Sequence, residues 1–248
     1  MAVCWNTKQP SWADRGYRPF RLHTDRVGSL TVAGPLLLPK PVFRGWSHVV
    51  AALAATALAP IVITLGPGGG DRAVVAVYAV AVVAVFAVSA AYHRFDWTPR
   101  VKAVIRRLDH SMIFVFIAAT YTPIGFFALD PGSARLVLSV VWAGAALGVA
   151  GRVAWLDAPR WVLIAPYPVV GWAALLVIGD VWRGMGVAGS TLLFIGGGLY
   201  TLGALIYAVR RPNPWPRWFG YHEVFHLLVV AAVAVHYVAI AFFALPLA

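Results

Sequence analysis

Residues 73–93 read AVVAVYAVAVVAVFAVSAAYH, 21 positions without one Asp, Glu, Lys or Arg. About 20 mostly apolar residues at a rise of about 1.5 Å each cross the roughly 30 Å hydrocarbon core of a bilayer, so this run has the length and character of a transmembrane helix. Working outward from it, six further stretches qualify: Gly45–Leu65, Leu108–Leu129, Ala134–Gly151, Trp161–Gly179, Ala188–Val209 and Phe219–Leu245. Breaker and polar signals separate them at residues 66–72, 130–133, 157–160 and 211–216. The sequence predicts an all-α fold, a bundle of seven transmembrane helices over residues 45–248, with no second folded domain.

Composition agrees. Of 248 residues, 61% are hydrophobic and 12% charged, which excludes an ordinary soluble domain with about 25% charge. A single cysteine, Cys4, excludes an internal disulfide framework and a cysteine-based zinc cluster. The formal charge of +11 points to nucleic acid only if the cations are not already explained by topology.

They are. Basic residues are retained on the cytoplasmic side of membrane proteins. Seven lie in the N-terminal segment (Lys8, Arg15, Arg18, Arg21, Arg26, Lys40, Arg44), five after the second span, two after the fourth and three after the sixth, against only Arg72, Arg135 and Arg183 on the other face. The split of 17 to 3 places the N-terminus in the cytoplasm and the C-terminus outside, in a multi-pass protein of the cell membrane that has no need of a nucleic-acid partner. Residues 1–44 lack both a helical period and the apolar core of a signal peptide, and they read as a flexible, basic cytoplasmic arm.

Polar side chains within spans are costly and mark function. His48, His93, Asp109, His110, His222 and His226 all fall near the ends of their spans, and the alternating topology brings those ends to one cytoplasmic level. His222 and His226 are four apart, so both rings lie on one helix face, as do Ser89 and His93. One histidine from span two and two from span seven make three nitrogen ligands, His93, His222 and His226, the set that holds a catalytic Zn²⁺ with a fourth position open. Asp109, Ser89 or His110 would stand beside that open position. The simpler readings are that His48 and His110 are interfacial, that Asp109 pairs with Arg106 or Arg107, and that His236, ten residues past His226, is a buried hydrogen-bonding group. His222-Glu223-Val224-Phe225-His226 also fits the H-E-x-x-H pattern of zinc proteases. However, no acidic residue follows Glu223 to serve as the downstream ligand, and the position of His236 does not fit the three-histidine version.

At these residues the sequence resembles the bacterial haemolysin III proteins, relatives of the progestin and adipoQ receptors, the adiponectin-receptor-like superfamily. The pieces are Ser47-His48; Ser89 with Tyr92-His93; Leu108-Asp109-His110 followed by Thr120-Tyr121-Thr122-Pro123; and Gly220-Tyr221-His222-Glu223-Val224-Phe225-His226 with His236-Tyr237. The likeness covers about residues 44–245 and is specific in combination and order. It implies a seven-helix fold with intramembrane zinc near the cytoplasmic side, held by His93, His222 and His226, with Asp109 and Ser89 beside it. Two departures are Phe43-Arg44-Gly45, where many bacterial members carry acidic residues, and the long basic arm.

The resemblance also links the chain to intramembrane hydrolases that include the alkaline ceramidases. On that reading Asp109 and Ser89 are catalytic and the partners are membrane lipids, whose amide or ester bond is cleaved. The competing class is non-enzymatic, a protein that permeabilises the membrane or maintains its state, with zinc structural. An open fourth metal position favours the former, a closed one the latter.

Overall fold

The computed structural model describes residues 40–247, together with the short antiparallel pair His23–Thr24 and Leu30–Thr31. The expected basic arm otherwise lies outside the described residues. The chain divides into two units, Met1–Lys40 and Pro41–Ala248.

The second unit is helical throughout. α1 (Trp46–Leu65), α2 (Gly69–Arg94), α3 (Pro99–Ala128) and α4 (Pro131–Ala154) follow one another with short connections. Then come α5 (Arg160–Ile164), α6 (Pro166–Gly171), a 3₁₀ turn (Ala173–Val177), α7 (Ile178–Val209) and α8 (Tyr221–Ala239) with its π and 3₁₀ continuation to Leu247. Local chemistry sets several starts. Pro99 and Pro131 occupy first-turn positions where their missing N–H costs nothing. Asp130 caps α4 by accepting from the backbone N–H groups of Gly132 (2.9 Å) and Ser133 (3.2 Å).

Sequence neighbours pack as antiparallel pairs, α1 on α2, α2 on α3, α3 on α4 and α7 on α8, and the ring closes where α1 meets α8. Large apolar side chains point outward all round, as with Leu53, Leu147, Val169 and Val187, while His48, Ser89, Asp109, Arg152, Glu223, His226 and His236 are buried. Apolar side chains outside and polar ones gathered inside is the distribution of a protein dissolved in lipid.

Among the described residues, six helical stretches are long and apolar enough to cross a membrane, where the sequence predicts seven spans. The difference lies in one of the six, Trp161–Val209, which covers both the fifth and the sixth predicted spans. Its first part is broken rather than one helix, because Pro166 and Pro168 remove helical donors and Gly171 follows. The second part folds back at Gly186, whose φ of 64° and ψ of −177° belong to a region essentially reserved for glycine. The reversal is plain in the contacts. Trp172 Nε1 donates to Thr201 Oγ1 at 2.9 Å, the Trp182 and Phe194 rings stack at 6.0 Å, and Ser190 Oγ donates to the Val181 carbonyl at 3.0 Å.

Non-helical backbone inside a bundle needs partners. Tyr121 supplies them: its hydroxyl donates to the Gly171 carbonyl at 2.7 Å and accepts from the Ala174 N–H at 2.9 Å. A residue in the middle of α3 thus holds the broken segment against the bundle.

Candidate metal centre

The candidate metal centre lies where α1, α2, α3 and α8 bring their polar ends together. His93 lies one residue before the end of α2, and His222 and His226 lie in the first two turns of α8. One ligand atom from each of the three lies within 4.8 Å of the others. His222 Nε2 and His93 Nε2 are 3.3 Å apart. Two nitrogens bound tetrahedrally at the usual zinc distance of about 2.0–2.1 Å would be about 3.3 Å apart, so this pair matches the edge of a zinc tetrahedron. The donor set fits the metal that the sequence predicted, with the three nitrogens arising from the predicted residues.

The surroundings differ from expectation in instructive ways. His48, read as an interfacial group, is buried and lies flat on His226, with ring centroids 3.8 Å apart and planes at 9°. Neither of its ring nitrogens makes a well-formed hydrogen bond among the described residues. Asp109 is buried against the Ser89 hydroxyl rather than paired with a neighbouring arginine. Arg106 pairs instead with Asp157 at 3.2 Å, and Arg107 donates to the Val153 and Ala103 carbonyls. Ser89 is one helical turn from His93, so the Asp109–Ser89 pair is tied to the helix that carries the first histidine. Tyr207, which the sequence did not single out, packs edge-on against His222 at 5.4 Å.

Glu223 settles the H-E-x-x-H question. Its Oε2 accepts from the Gly220 backbone N–H at 2.7 Å, closing a capping box at the start of α8, and its Oε1 pairs with the Arg44 guanidinium. Both oxygens are engaged in structural contacts, which favours an anchoring role for Glu223. The same corner is laced by main-chain bonds from Val42 to Arg217 and from Phe43 to Trp218, each 3.2 Å. Gly45, beside them, has φ +81°, and a Cβ there would stand 2.8 Å from His93 Cβ. These contacts decide how closely α1 approaches the ligand helices, and none was legible from local sequence.

Arg152, counted in the sequence as a loop cation, is buried. It donates to the Leu163 carbonyl at 2.8 Å and to the Tyr167 hydroxyl at 3.1 Å, and that hydroxyl donates to the His110 carbonyl.

A helical membrane bundle of this order, with three histidines from its second and last long helices, can be compared with known proteins. The family model described as haemolysin-III related matches residues 37–237. The chain belongs to the haemolysin III family. It is 28% identical to Hemolysin-3 of Bacillus cereus over 200 residues, 80% of this chain and 88% of that protein. It is 27% identical to the human monocyte to macrophage differentiation factor over 169 residues, 66% of this chain and 67% of that protein. A 50-residue stretch is 48% identical to the Adiponectin receptor protein of Drosophila melanogaster, covering 18% of this chain. This haemolysin III family member is therefore a multi-pass membrane protein, and its three histidines stand close enough to hold a metal ion.

Proposed function

We propose that this protein is a zinc-dependent hydrolase of membrane lipids, its metal held by His93, His222 and His226. The observation that carries the reading is a three-histidine cluster, with a buried carboxylate, Asp109, bonded to Ser89 one helical turn from His93. A structural zinc needs four protein ligands, whereas three converge here among the described residues, which favours an open position.

Bound at this centre, Zn²⁺ would supply Lewis-acid activation of water and of an amide or ester carbonyl. Asp109 takes the proton from the attacking water and returns it to the leaving amine or alkoxide. Ser89 holds the carboxylate in place through its hydroxyl. The site lies among helix ends facing lipid on their outer surfaces, so the substrate class is a lipid amide or ester that enters sideways from the bilayer. The 17-to-3 division of basic residues supports seven crossings with the N-terminus in the cytoplasm and the centre near the cytoplasmic face.

The test is turnover of a panel of N-acyl and O-acyl lipids by the detergent-purified protein. Hydrolysis lost in both His93→Ala and Asp109→Asn supports the proposal. Unchanged turnover in His93→Ala would overturn it.

A further inference from the structure

A second group of polar side chains lies deeper in the bundle. His236 is ten residues beyond His226 on α8 and therefore about 15 Å farther along the helix. Its Nε2 lies 3.0 Å from the Leu193 carbonyl. A carbonyl oxygen only accepts, so Nε2 carries the proton and Nδ1 is left as a bare acceptor. That Nδ1 is buried and has no partner among the described residues. The hydroxyls of Tyr78 on α2 and Tyr200 on α7 are also buried and unpartnered. The Tyr200 ring is 5.5 Å from that of His236, and Tyr78 lies within electrostatic range of Tyr200. Tyr78 and His236 are both more than nine-tenths buried.

The fold makes room for this arrangement. A Cβ at Gly196 would fall 2.1 Å from His236 Nε2, so the bare glycine is what lets α7 come close enough for the ring to reach Leu193. An unpaired polar group in an apolar interior costs free energy comparable to a lost hydrogen bond, or more, and three from three helices in one region call for an occupant.

We propose that Tyr78, Tyr200 and His236 form a second binding site, which takes a neutral hydrogen-bonding group, a hydroxyl or amide N–H, carried by a lipid chain. The chemistry is fixed by the donors and acceptors present. His236 Nδ1 requires a donor, the two phenols give and take one bond each, and no charged partner is offered among the described residues, so neither a cation nor a carboxylate matches. At about 15 Å from the metal ligands, the group held here is not the bond being cleaved. The site does not depend on hydrolysis at the metal centre.

The test is the thermal midpoint of the detergent-purified full chain, titrated with 1-hexadecanol and, as a matched apolar control, hexadecane. The alcohol is expected to raise the midpoint more than the alkane. Tyr78→Phe and Tyr200→Phe, which keep shape and lose only the hydroxyl, are expected to weaken the alcohol's apparent affinity about 2- to 10-fold. His93→Ala is expected to keep the alcohol response, which separates this site from the metal centre. Equal shifts from alcohol and alkane, or Phe variants that bind the alcohol as wild type does, would overturn the proposal, as would high-resolution density holding only a water among the three groups after soaking with the alcohol.

Discussion

Replacing Glu223 separates anchoring from catalysis at this centre. In Glu223→Ala the Arg44 guanidinium and the Gly220 N–H both lose their acceptor. Removing one partner of a buried ion pair costs about 3–5 kcal/mol. Because the Arg44 side chain is 20% exposed and can turn towards water, the expected loss falls below that range, at about 2–3 kcal/mol with the lost cap included. Glu223→Gln retains an acceptor for Gly220 and loses the charge, so it should fall between Ala and wild type. Since Glu223 sits between His222 and His226 in sequence, the start of α8 loosens with it and zinc retention falls in the same order. The assays are the thermal midpoint in detergent and the zinc remaining after a fixed chelator challenge. A double-mutant cycle with Arg44→Ala should show coupling between the two. If both Glu223 variants unfold and hold metal as wild type does, yet lose lipid turnover, the anchoring argument is refuted and Glu223 is a chemical participant.

Three further outcomes follow from the same geometry. Gly45→Ala should weaken zinc retention without touching a ligand, because it adds about 1–2 kcal/mol of left-handed backbone strain and sets a Cβ against His93 Cβ; metal content and thermal midpoint after purification check this. Tyr121→Phe leaves the Gly171 carbonyl and the Ala174 N–H without their shared partner, so it should cost about 1–3 kcal/mol and speed hydrogen exchange at Ala174. The Ser133 and Gly132 N–H groups hold the exposed Asp130 carboxyl below the ordinary carboxylate range. A depressed acid contributes above its unfolded value and loses that contribution as pH falls through the lower folded one, so the protection of the Gly132 and Ser133 amides, exchange relative to the unstructured rate, should fall in wild type as acid protonates Asp130 and be low at every pH in Asp130→Ala.

The sequence was most legible where a signal is local. The three histidines emerge from spacing on α2 and α8, and the apolar runs mark the long helices. Even so, α3 begins at Pro99, nine residues before the predicted span, because a hydropathy reading stops at the basic residues while the helix does not. Hydropathy reads the fifth span as continuous from Trp161 to Gly179, and the partner that makes a broken segment tolerable, Tyr121, is about 50 residues away in the chain. Distance in sequence hides the site's supports for the same reason. Arg44 meets Glu223 across 179 positions, and His48 stacks on a ring of another helix. Nothing in either neighbourhood announces those contacts.

The most direct test of the metal centre is zinc content, measured by mass spectrometry on the detergent-purified protein, as wild type and with His93, His222 and His226 all changed to Ala. The account predicts about one zinc per chain in wild type and none in the folded variant. A folded wild-type protein that carries no zinc and takes none up when it is offered would contradict it.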